Sequence, residues 1–284
     1  MGRPDANNRR RVPRRDRWHH NRHQSDTLLP KRQLPTPATT TEPEIQPMNC
    51  TGRLPSKHDD RTLRLAQFKT ARQLAHPTVR LWQTPVHDWG VMGNHQYGNC
   101  VIATAAHAKL SIRANELADT RRISDAAVID LSRQMGALMG YNILDRLKYW
   151  RNTGMWASKI WAFAATNPKN HSESQDVINT FGWLDIGINL PYAWKNASVW
   201  DVGNGRNYAG GSWGGHSIPA VGYDEKYYYV VTWGEVLRLT YAAMERYVDE
   251  TYAVIDPDWL AKDATTPAGY DLPAIAAELN ALAA

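Results

Sequence analysis

Two kinds of hydrophobic spacing divide the chain into an earlier and a later half. In the earlier half, Ala, Leu and Ile recur at helical spacing in "CVIATAAHAKLSIRANELA", and the length of this apolar stretch predicts a central buried helix that begins at Cys100. Ser124 and Asp125 stand where the N-cap of a second helix is expected. The segment "ILDRLKYWRNTGMW" predicts a third helix, and "SESQDVINTFG" a short fourth one capped by Ser172 or Ser174.

The later half changes to short apolar stretches that are bounded by turns. The segments "WLDIGINLP", "HSIPAVGYD", "YYYVVTWG" and "TYAVID" are rich in β-branched and aromatic residues, which is typical of strands. Between the last two, "LTYAAMERYVDE" predicts one more helix. Helices first and strands afterwards, without β-α-β alternation, predict an α+β fold with segregated layers.

The two ends of the chain differ in composition from its middle. Residues 1–47 are polar, rich in Arg, Pro and Thr and without periodicity, so a disordered tail is predicted. Residues 48–84 mix strand-like and helical pieces and are expected to wrap the surface of the main domain, residues 85–262. Residues 263–284 are predicted to form an Ala-rich tail or helix. Met48 offers an alternative start for a chain that would look complete without the tail.

The net charge of +5 belongs to the N-terminal tail rather than to the folded body. Residues 1–35 hold ten Lys or Arg and three Asp, which leaves a net charge of about −2 on the remaining 249 residues. The charge therefore does not indicate a nucleic-acid-binding fold, although the basic tail itself could contact nucleic acid. His19, His20 and His23 lie in this tail without cysteines or an ordered frame, and we predict no metal site there.

The number of cysteines and the length of the apolar runs indicate the cellular compartment in which the protein is expected. The chain is long enough to bury a core without disulfides, and the pair Cys50 and Cys100 does not resemble a disulfide framework, which indicates a reducing environment. The first residues lack an apolar signal region, and no run approaches the roughly 18 apolar residues of a membrane span. We therefore predict a soluble, cytoplasmic protein without a membrane partner, and no cofactor.

Cys100 lies directly after a polar, Gly-containing loop and at the start of the central helix. The free N–H groups and the dipole of a helix start favour a thiolate, so the position predicts a lowered pKa and a nucleophile. His216 is the best basic partner, because it begins an apolar strand after glycines such as Gly215 that allow close approach. His95 is near enough in sequence to affect the cysteine's pKa. The alternative is an inert core cysteine, since free cysteine is among the most buried residue types.

Four fragments in order resemble the papain-like cysteine peptidase superfamily. They are "PVHDW", similar to the start of that family's mature domain, "NHQYGNC" before the helix, "GGHSIPAVGYD", and a Tyr/Val strand ending in "TWG". The resemblance covers roughly residues 85–256, and the Cys-to-His separation of 116 residues is shorter than the roughly 130–150 of well-known members. It implies a papain-like fold, in which an N-terminal helical layer with a central Cys-bearing helix packs on a C-terminal antiparallel β-sheet.

The resemblance also implies roles for single residues. Cys100 would attack a carbonyl carbon, and His216 would hold the thiolate and then protonate the leaving amine. The oxyanion would lie between the backbone N–H of Cys100 and a side-chain amide at the position of Asn94, with Gln96 as an alternative donor. The residues expected to line the substrate-binding cleft are Gln96, Gly98, Gly215 and Trp233.

The residue that orients the histidine departs from the family pattern. Where the family has "NSWG", this chain has "VTWG", so Val231 stands at the position of the family's Asn. The hydroxyl of Thr232 could accept a hydrogen bond from His216 instead, and Asp224 could do so if the turn folds back. Trp233 would still shield the histidine contact from water.

Three functions stay open on the sequence alone. The first is a thiol hydrolase that cuts a peptide or isopeptide bond of a peptide or protein substrate. The second is a weak or inactive papain-like fold that serves as a binding or structural protein, of a phage or bacterium for example, because Val231 and Asn94 depart from the family. The third is acyl transfer or cell-wall amidase chemistry, for which Asp224 would be essential. It is also open whether residues 48–84 form a pro-segment that crosses the cleft and is cut near Thr84.

Overall fold

The computed structural model of the chain describes residues 49–67 and 76–260 together with Ala277. The predicted tail over residues 1–47 and the predicted C-terminal segment over residues 263–284, except for Ala277, lie outside the described residues. The helices within the described ranges are α1 (Cys100–Glu116), α2 (Asp125–Gln134), α3 (Ile143–Asn152), α4 (His171–Phe181) and α5 (Tyr241–Tyr247). The strands are β1 (Arg80–Leu81), β2 (Ala162–Thr166), β3 (Leu184–Leu190), β4 (Val199–Trp200), β5 (Gly214–Tyr223), β6 (Tyr227–Thr232), β7 (Glu235–Thr240) and β8 (Val248–Ile255).

The strands form one sheet in the order β2, β8, β3, β5, β6, β7, β4, with the short β1 also paired to β5. The pairs are antiparallel except for β4 and β7, which run parallel over two residues. Strand β5 lies near the middle, where it pairs with β3 on one side and β6 on the other. The predicted α+β class is therefore confirmed, with a mostly antiparallel sheet.

Helix α1 is buried along almost its whole length, as its apolar sequence predicts. Within it only Arg113, Asn115 and Glu116, at the C-terminal end, escape full burial. A helix that is apolar all round packs inside a domain rather than on its surface, and α1 packs against β5. The cysteine at its first residue is thereby held against the strand that carries His216.

One charged side chain of α1 is also buried, and it is fully paired. The Nζ atom of Lys109 donates to the two carboxylate oxygens of Asp256, at 3.0 Å and 2.9 Å. It also donates to Ser158 Oγ at 2.9 Å. Asp256 follows directly after β8 and its side chain is completely buried. The ion pair therefore joins the middle of the cysteine-bearing helix to the end of the sheet.

We expect Asp256→Ala to lower the free energy of unfolding by about 3 kcal/mol, because it removes the fully buried carboxylate that pairs with Lys109 and leaves the buried ammonium only the partly exposed carboxylate of Asp258. The measurement is urea unfolding followed by tryptophan fluorescence. The double variant Asp256→Ala/Lys109→Met is the control, since it removes both charges and should recover part of the loss. A single variant as stable as the wild type would contradict the expectation.

The N-cap predicted from the sequence is confirmed for α2 and is wrong for α4. Ser124 caps α2, where its side chain accepts a hydrogen bond from the backbone N–H of Ala127 at 3.2 Å. The cap of α4 is Asn170, which accepts from Glu173 N at 3.2 Å, whereas Ser172 and Ser174 lie inside the helix. The predicted cap was therefore wrong by two to four residues.

The segment predicted as a helix between the last two strands is only partly helical. Strand β7 comes first, and α5 begins after it, capped by Thr240, whose hydroxyl accepts from Ala243 N at 3.1 Å. Strand β2 also lies between α3 and α4, so a strand interrupts the series of helices in the earlier half of the chain. Strand β7 pairs with β6 as a tight hairpin, in which only Trp233 and Gly234 separate Thr232 from its partner Glu235.

Candidate active site

Cys100 is the first residue of α1, and its side chain is buried. The backbone N–H groups of Ser217, Gly52 and Val101 face its sulfur and favour the thiolate. Burial outweighs them and raises the pKa of the thiol to about 11. The lowered pKa that the helix start predicts is therefore not found in this arrangement, because the thiol has lost its contact with water.

His216 lies on β5 directly before Ser217, the residue whose N–H faces the cysteine sulfur. Its Nε2 is 2.7 Å from Thr232 Oγ1 on the neighbouring strand β6. The ring of Trp233 stacks on the imidazole, with centroids 4.5 Å apart and an angle of 21° between the planes. Among the residues that the structure describes, His216 Nδ1 has no hydrogen-bond partner, so this nitrogen stays available as a base.

The alternation of side chains along β6 decides which residue can orient the histidine. Val231 is buried in the core, and the next residue, Thr232, faces His216. Asp224 lies in the turn between β5 and β6, where its carboxylate accepts from Lys226 N, Tyr227 N and the hydroxyl of Tyr229. Its carboxylate thus stabilises the turn and makes no hydrogen bond to the histidine.

The two amides expected near the oxyanion differ in their surroundings. Asn94 is buried, and its Nδ2 donates to Tyr97 O at 3.0 Å and to Asn99 Oδ1 at 3.3 Å, so its amide hydrogens are engaged within the loop. Gln96 is exposed. His95, between them, has a buried Nδ1 without a hydrogen-bond partner among the described residues. The sequence predicts for His95 only an effect on the pKa of the Cys100 thiol.

A stretch of the chain that precedes β1 crosses this site. We call residues 49–54 the covering segment. The N–H groups of Gly52 and Arg53 donate to Gly215 O at 3.0 Å and 2.9 Å, and the indole of Trp233 donates to Cys50 O at 3.3 Å. Gly52 also accepts from Tyr141 N at 2.9 Å. The covering segment thus forms hydrogen bonds with two of the residues that were expected to bind substrate, Gly215 and Trp233.

Glycines allow the covering segment to come this close. A Cβ added at Gly52 would lie 2.0 Å from Gly98 O, and one at Gly215 would lie 2.4 Å from Arg53 O. A Cβ at Gly98 would lie 3.0 Å from Thr51 O. Since the opposing atoms are backbone atoms, they cannot turn away as a side chain would. Gly98, the third predicted substrate contact, is therefore also covered by this segment.

A cavity of about 690 Å³ opens beside Trp233 and Asn49, at one end of the covering segment. Its apolar wall includes Val91, Trp200 and Leu237. Trp233 forms one row of aromatic rings with Trp213, Trp200 and Trp194, whose consecutive centroids are between 5.0 Å and 6.2 Å apart.

Two buried histidines make the stability of the protein depend on pH. Burial lowers the pKa of His216 to about 3 and that of His107, whose Nε2 lies 3.0 Å from Gly90 O, to about 4. The ordinary value is 6.5, so both rings are neutral in the folded state. Their stabilising contribution is therefore complete above pH 6.5 and is lost as the pH falls toward the folded-state values.

We expect the free energy of unfolding to fall as the pH is lowered from 6.5 to about 4.5, by up to about 1.4 kcal/mol per pH unit for each histidine that must gain a proton. His107→Gln removes one of the two titrating groups, so its pH dependence should be shallower. Urea titrations at several pH values measure this. An equal slope in the wild type and in His107→Gln would contradict the expectation.

Neither a disulfide nor a metal cluster is found at the site. No disulfide joins Cys50 and Cys100. Within residues 49–67 and 76–260, no group of three or more His, Cys, Asp or Glu side chains is arranged to hold a metal ion. Over the same residues, no helix is long and apolar enough to cross a membrane.

Comparisons with known proteins support the fold. No family model matches the sequence, and no similar curated protein was found. Among solved structures, xylellain, a cysteine protease from Xylella fastidiosa, is 12% identical, with a TM-score of 0.58, and the match covers 74% of this chain and 97% of that one. For proCathepsin B from Trypanosoma congolense the identity is 12%, the TM-score 0.55 and the coverage 73% and 86%.

A third solved structure is digestive procathepsin L 3 of Tenebrio molitor, at 12% identity and a TM-score of 0.51, which covers 73% of this chain and 76% of that one. At these identities the comparison establishes the fold. The chain has a divergent papain-like fold, and the fold expected from the sequence is confirmed.

Proposed function

We propose that the protein is a thiol hydrolase that cleaves peptide or isopeptide bonds of a peptide or protein substrate. The observation that carries the proposal is the state of His216. One ring nitrogen lies 2.7 Å from Thr232 Oγ1, and the other, Nδ1, has no hydrogen-bond partner among the described residues. A histidine oriented through one nitrogen and free at the other, beside a cysteine at a helix start, is arranged for nucleophilic catalysis.

In the proposed reaction, Nδ1 of His216 takes the proton of the Cys100 thiol. The thiolate attacks the carbonyl carbon of the substrate, and the backbone N–H of Cys100 donates to the oxyanion that forms. His216 then gives the proton to the leaving amine, which leaves a thioester on Cys100. A water molecule, deprotonated by the same histidine, hydrolyses the thioester and regenerates the thiol.

Thr232 takes the place of the family's Asn in this proposal. With Nε2 protonated, the ring donates its hydrogen bond to Thr232 Oγ1, which fixes the tautomer that leaves Nδ1 unprotonated. A hydroxyl is a neutral acceptor, so it orients the imidazole without holding a negative charge beside it. The carboxylate of Asp224 accepts its hydrogen bonds from the neighbouring turn. This disfavours the acyl-transfer alternative, for which Asp224 would be essential.

The covered arrangement corresponds to a latent state of this enzyme. The pKa of Cys100 is raised and that of His216 is lowered, and burial is the largest cause of both shifts. Both side chains are therefore uncharged near neutral pH. When the covering segment leaves and water enters, the cost of desolvation disappears and a thiolate and an imidazolium can form. Catalysis thus requires the covering segment to move.

The test compares the two cysteines in a chain whose covering segment is destabilised by Gly52→Ala, because an added Cβ there would lie 2.0 Å from Gly98 O. Hydrolysis of a mixed peptide library is followed by mass spectrometry in this background, with Cys100→Ala and with Cys50→Ala added separately. Since only Cys100 is the proposed nucleophile, its replacement should abolish cleavage, and Cys50→Ala should cleave normally. Equal cleavage in both variants would reject the thiol mechanism. An uncovered, folded chain that cleaves nothing would favour the inactive, binding alternative.

A further inference from the structure

A second pocket, of about 330 Å³, lies where the chain that follows the covering segment meets helix α3 and strand β2. Its charged lining residues are Asp59, Arg61, Lys148 and Arg151, which we call the basic pocket. In the sheet, β8 and β3 lie between β2 and β5, the strand that carries His216. The basic pocket is therefore distinct from the candidate active site.

Asp59 neutralises only one of the three cations in the basic pocket. Its carboxylate accepts from Lys148 Nζ at 2.6 Å and from Arg61 Nε and Nη2, both at 2.9 Å. The hydrogen bonds from Arg61 and Lys148 lower the pKa of Asp59, so its carboxylate stays ionised near neutral pH. Three cations and one carboxylate leave the pocket with a net charge of +2.

The nearest carboxylates along the chain are paired with other cations. Asp60 Oδ1 lies 2.6 Å from His58 Nε2, and the carboxylate of Asp145 accepts from Lys57. Neither Asp60 nor Asp145 lines the basic pocket. The excess of positive charge in the pocket is therefore not balanced by these two side chains.

Arg151 is held by an aromatic ring rather than by a carboxylate. Its Cζ lies 5.2 Å from the ring centroid of the buried Phe163, which fixes the guanidinium by a cation–π contact. Among the residues that the structure describes, its side chain makes one hydrogen bond, from Nε to Asn152 Oδ1 at 3.4 Å. Both Nη atoms can thus donate to a ligand. Arg151 follows Lys148 by three residues on α3, so the two side chains are neighbours on one face of the helix.

We propose that the basic pocket binds a phosphate dianion, either free or as the terminal group of a small phosphate ester. A phosphate ester carries a charge of about −1.5 to −2 at pH 7, which matches the excess charge of the pocket, whereas one carboxylate would balance only half of it. The planar forks of Arg61 and Arg151 suit paired hydrogen bonds to phosphate oxygens, and Lys148 adds a point charge.

The ligand would join two separate parts of the chain. Arg61 belongs to the stretch that continues from the covering segment, whereas Lys148 and Arg151 belong to α3. A phosphate that accepts from both parts stabilises the state in which they lie together. Openings that carry Arg61 away from α3 with the covering segment become rarer. Bound phosphate is therefore expected to keep Cys100 covered.

Isothermal titration calorimetry of the full chain with inorganic phosphate, in chloride buffers of matched ionic strength near neutral pH, tests the binding. A saturable site is expected, and Arg151→Gln should weaken it by about tenfold or more through the loss of a charged hydrogen bond. Arg238→Gln is the matched control and should bind normally, because Arg238 also lies over a ring, that of Tyr227 at 5.5 Å, but outside the basic pocket.

A chain that binds no phosphate, or Arg151→Gln binding as tightly as the wild type, would overturn the proposal. Methyl phosphate identifies the source of the ligand. Binding like that of inorganic phosphate supports a phosphate ester, and absence of methyl phosphate binding supports the free ion.

The joining role is tested by the rate at which iodoacetamide alkylates Cys100 in the wild-type chain. With phosphate at about ten times its Kd, the rate should fall by up to about tenfold. Arg61→Gln changes a side chain that is 87% exposed, so the fold should persist and the alkylation rate should no longer respond to phosphate. A wild-type rate that bound phosphate leaves unchanged would overturn the joining role. Neither measurement involves hydrolysis, so a failure of the proposed function would leave both results interpretable.

Discussion

Gly52→Ala is expected to expose the buried thiol of Cys100. An added Cβ would lie 2.0 Å from Gly98 O and 2.4 Å from Gly98 C, which are backbone atoms at the edge of the site. The covering segment must therefore shift and weaken its hydrogen bonds to Gly215. Overpacking of this kind costs typically about 1–3 kcal/mol, so the exposed state should become about 5 to 150 times more populated.

The measurement is the rate at which iodoacetamide alkylates Cys100, followed by mass spectrometry on the folded protein. The rate should rise in proportion to the exposed population. Gly210→Ala is the matched control, because its added Cβ would meet the Tyr247 ring at an ordinary 3.5 Å and its backbone is not left-handed. A folded Gly52→Ala chain that reacts as slowly as the wild type would show that the segment does not limit access.

Replacement of His216 by Ala should have the largest effect on hydrolysis, a loss of about a thousandfold or more in kcat/KM, because His216 is the base of the proposed mechanism. Thr232→Val keeps the shape of the side chain and removes its hydroxyl. Since Thr232 is proposed to position the histidine without touching the substrate, we expect kcat to fall by about 10 to 100 times with little change in KM.

Steady-state kinetics on a cleaved library peptide, in the Gly52→Ala background, measure these effects. Thr232→Ser restores the hydroxyl and should recover most of the activity, which a purely structural role would not predict. Asp224→Ala is the control on the same hairpin and should leave kcat unchanged. If Asp224→Ala abolished activity while Thr232→Val did not, the assignment of the orienting residue would be reversed.

The chemistry of the site could be predicted only in part. The order of Cys100, His216 and the Trp-Gly pair is readable along the chain, and it led to the fold that the comparisons support. The choice between Thr232 and Asp224 was open, because it depends on which side chains of β6 face β5. The amide of Asn94 was expected to face the substrate, but buried polar groups must find partners, and Asn94 finds them in its own loop.

The raised pKa of Cys100 shows the same limit. The sequence places the thiol at a helix start, which alone would lower its pKa. Whether water reaches that helix start depends on a segment about fifty residues away along the chain. Arg53 in particular is paired with a residue 197 positions later, and no local pattern predicts such a contact.

By itself, the sequence determined the buried helix that begins at Cys100, the cap at Ser124, the main strands and the fold class. These features depend on spacing over a few residues, and the hydrophobic pattern records that spacing directly. The tertiary structure alone decided that the covering segment lies against Gly215 and Trp233 and that Thr232 lies within hydrogen-bond distance of His216. Each of these arises where distant parts of the chain meet, and burial then sets the charge that each group carries.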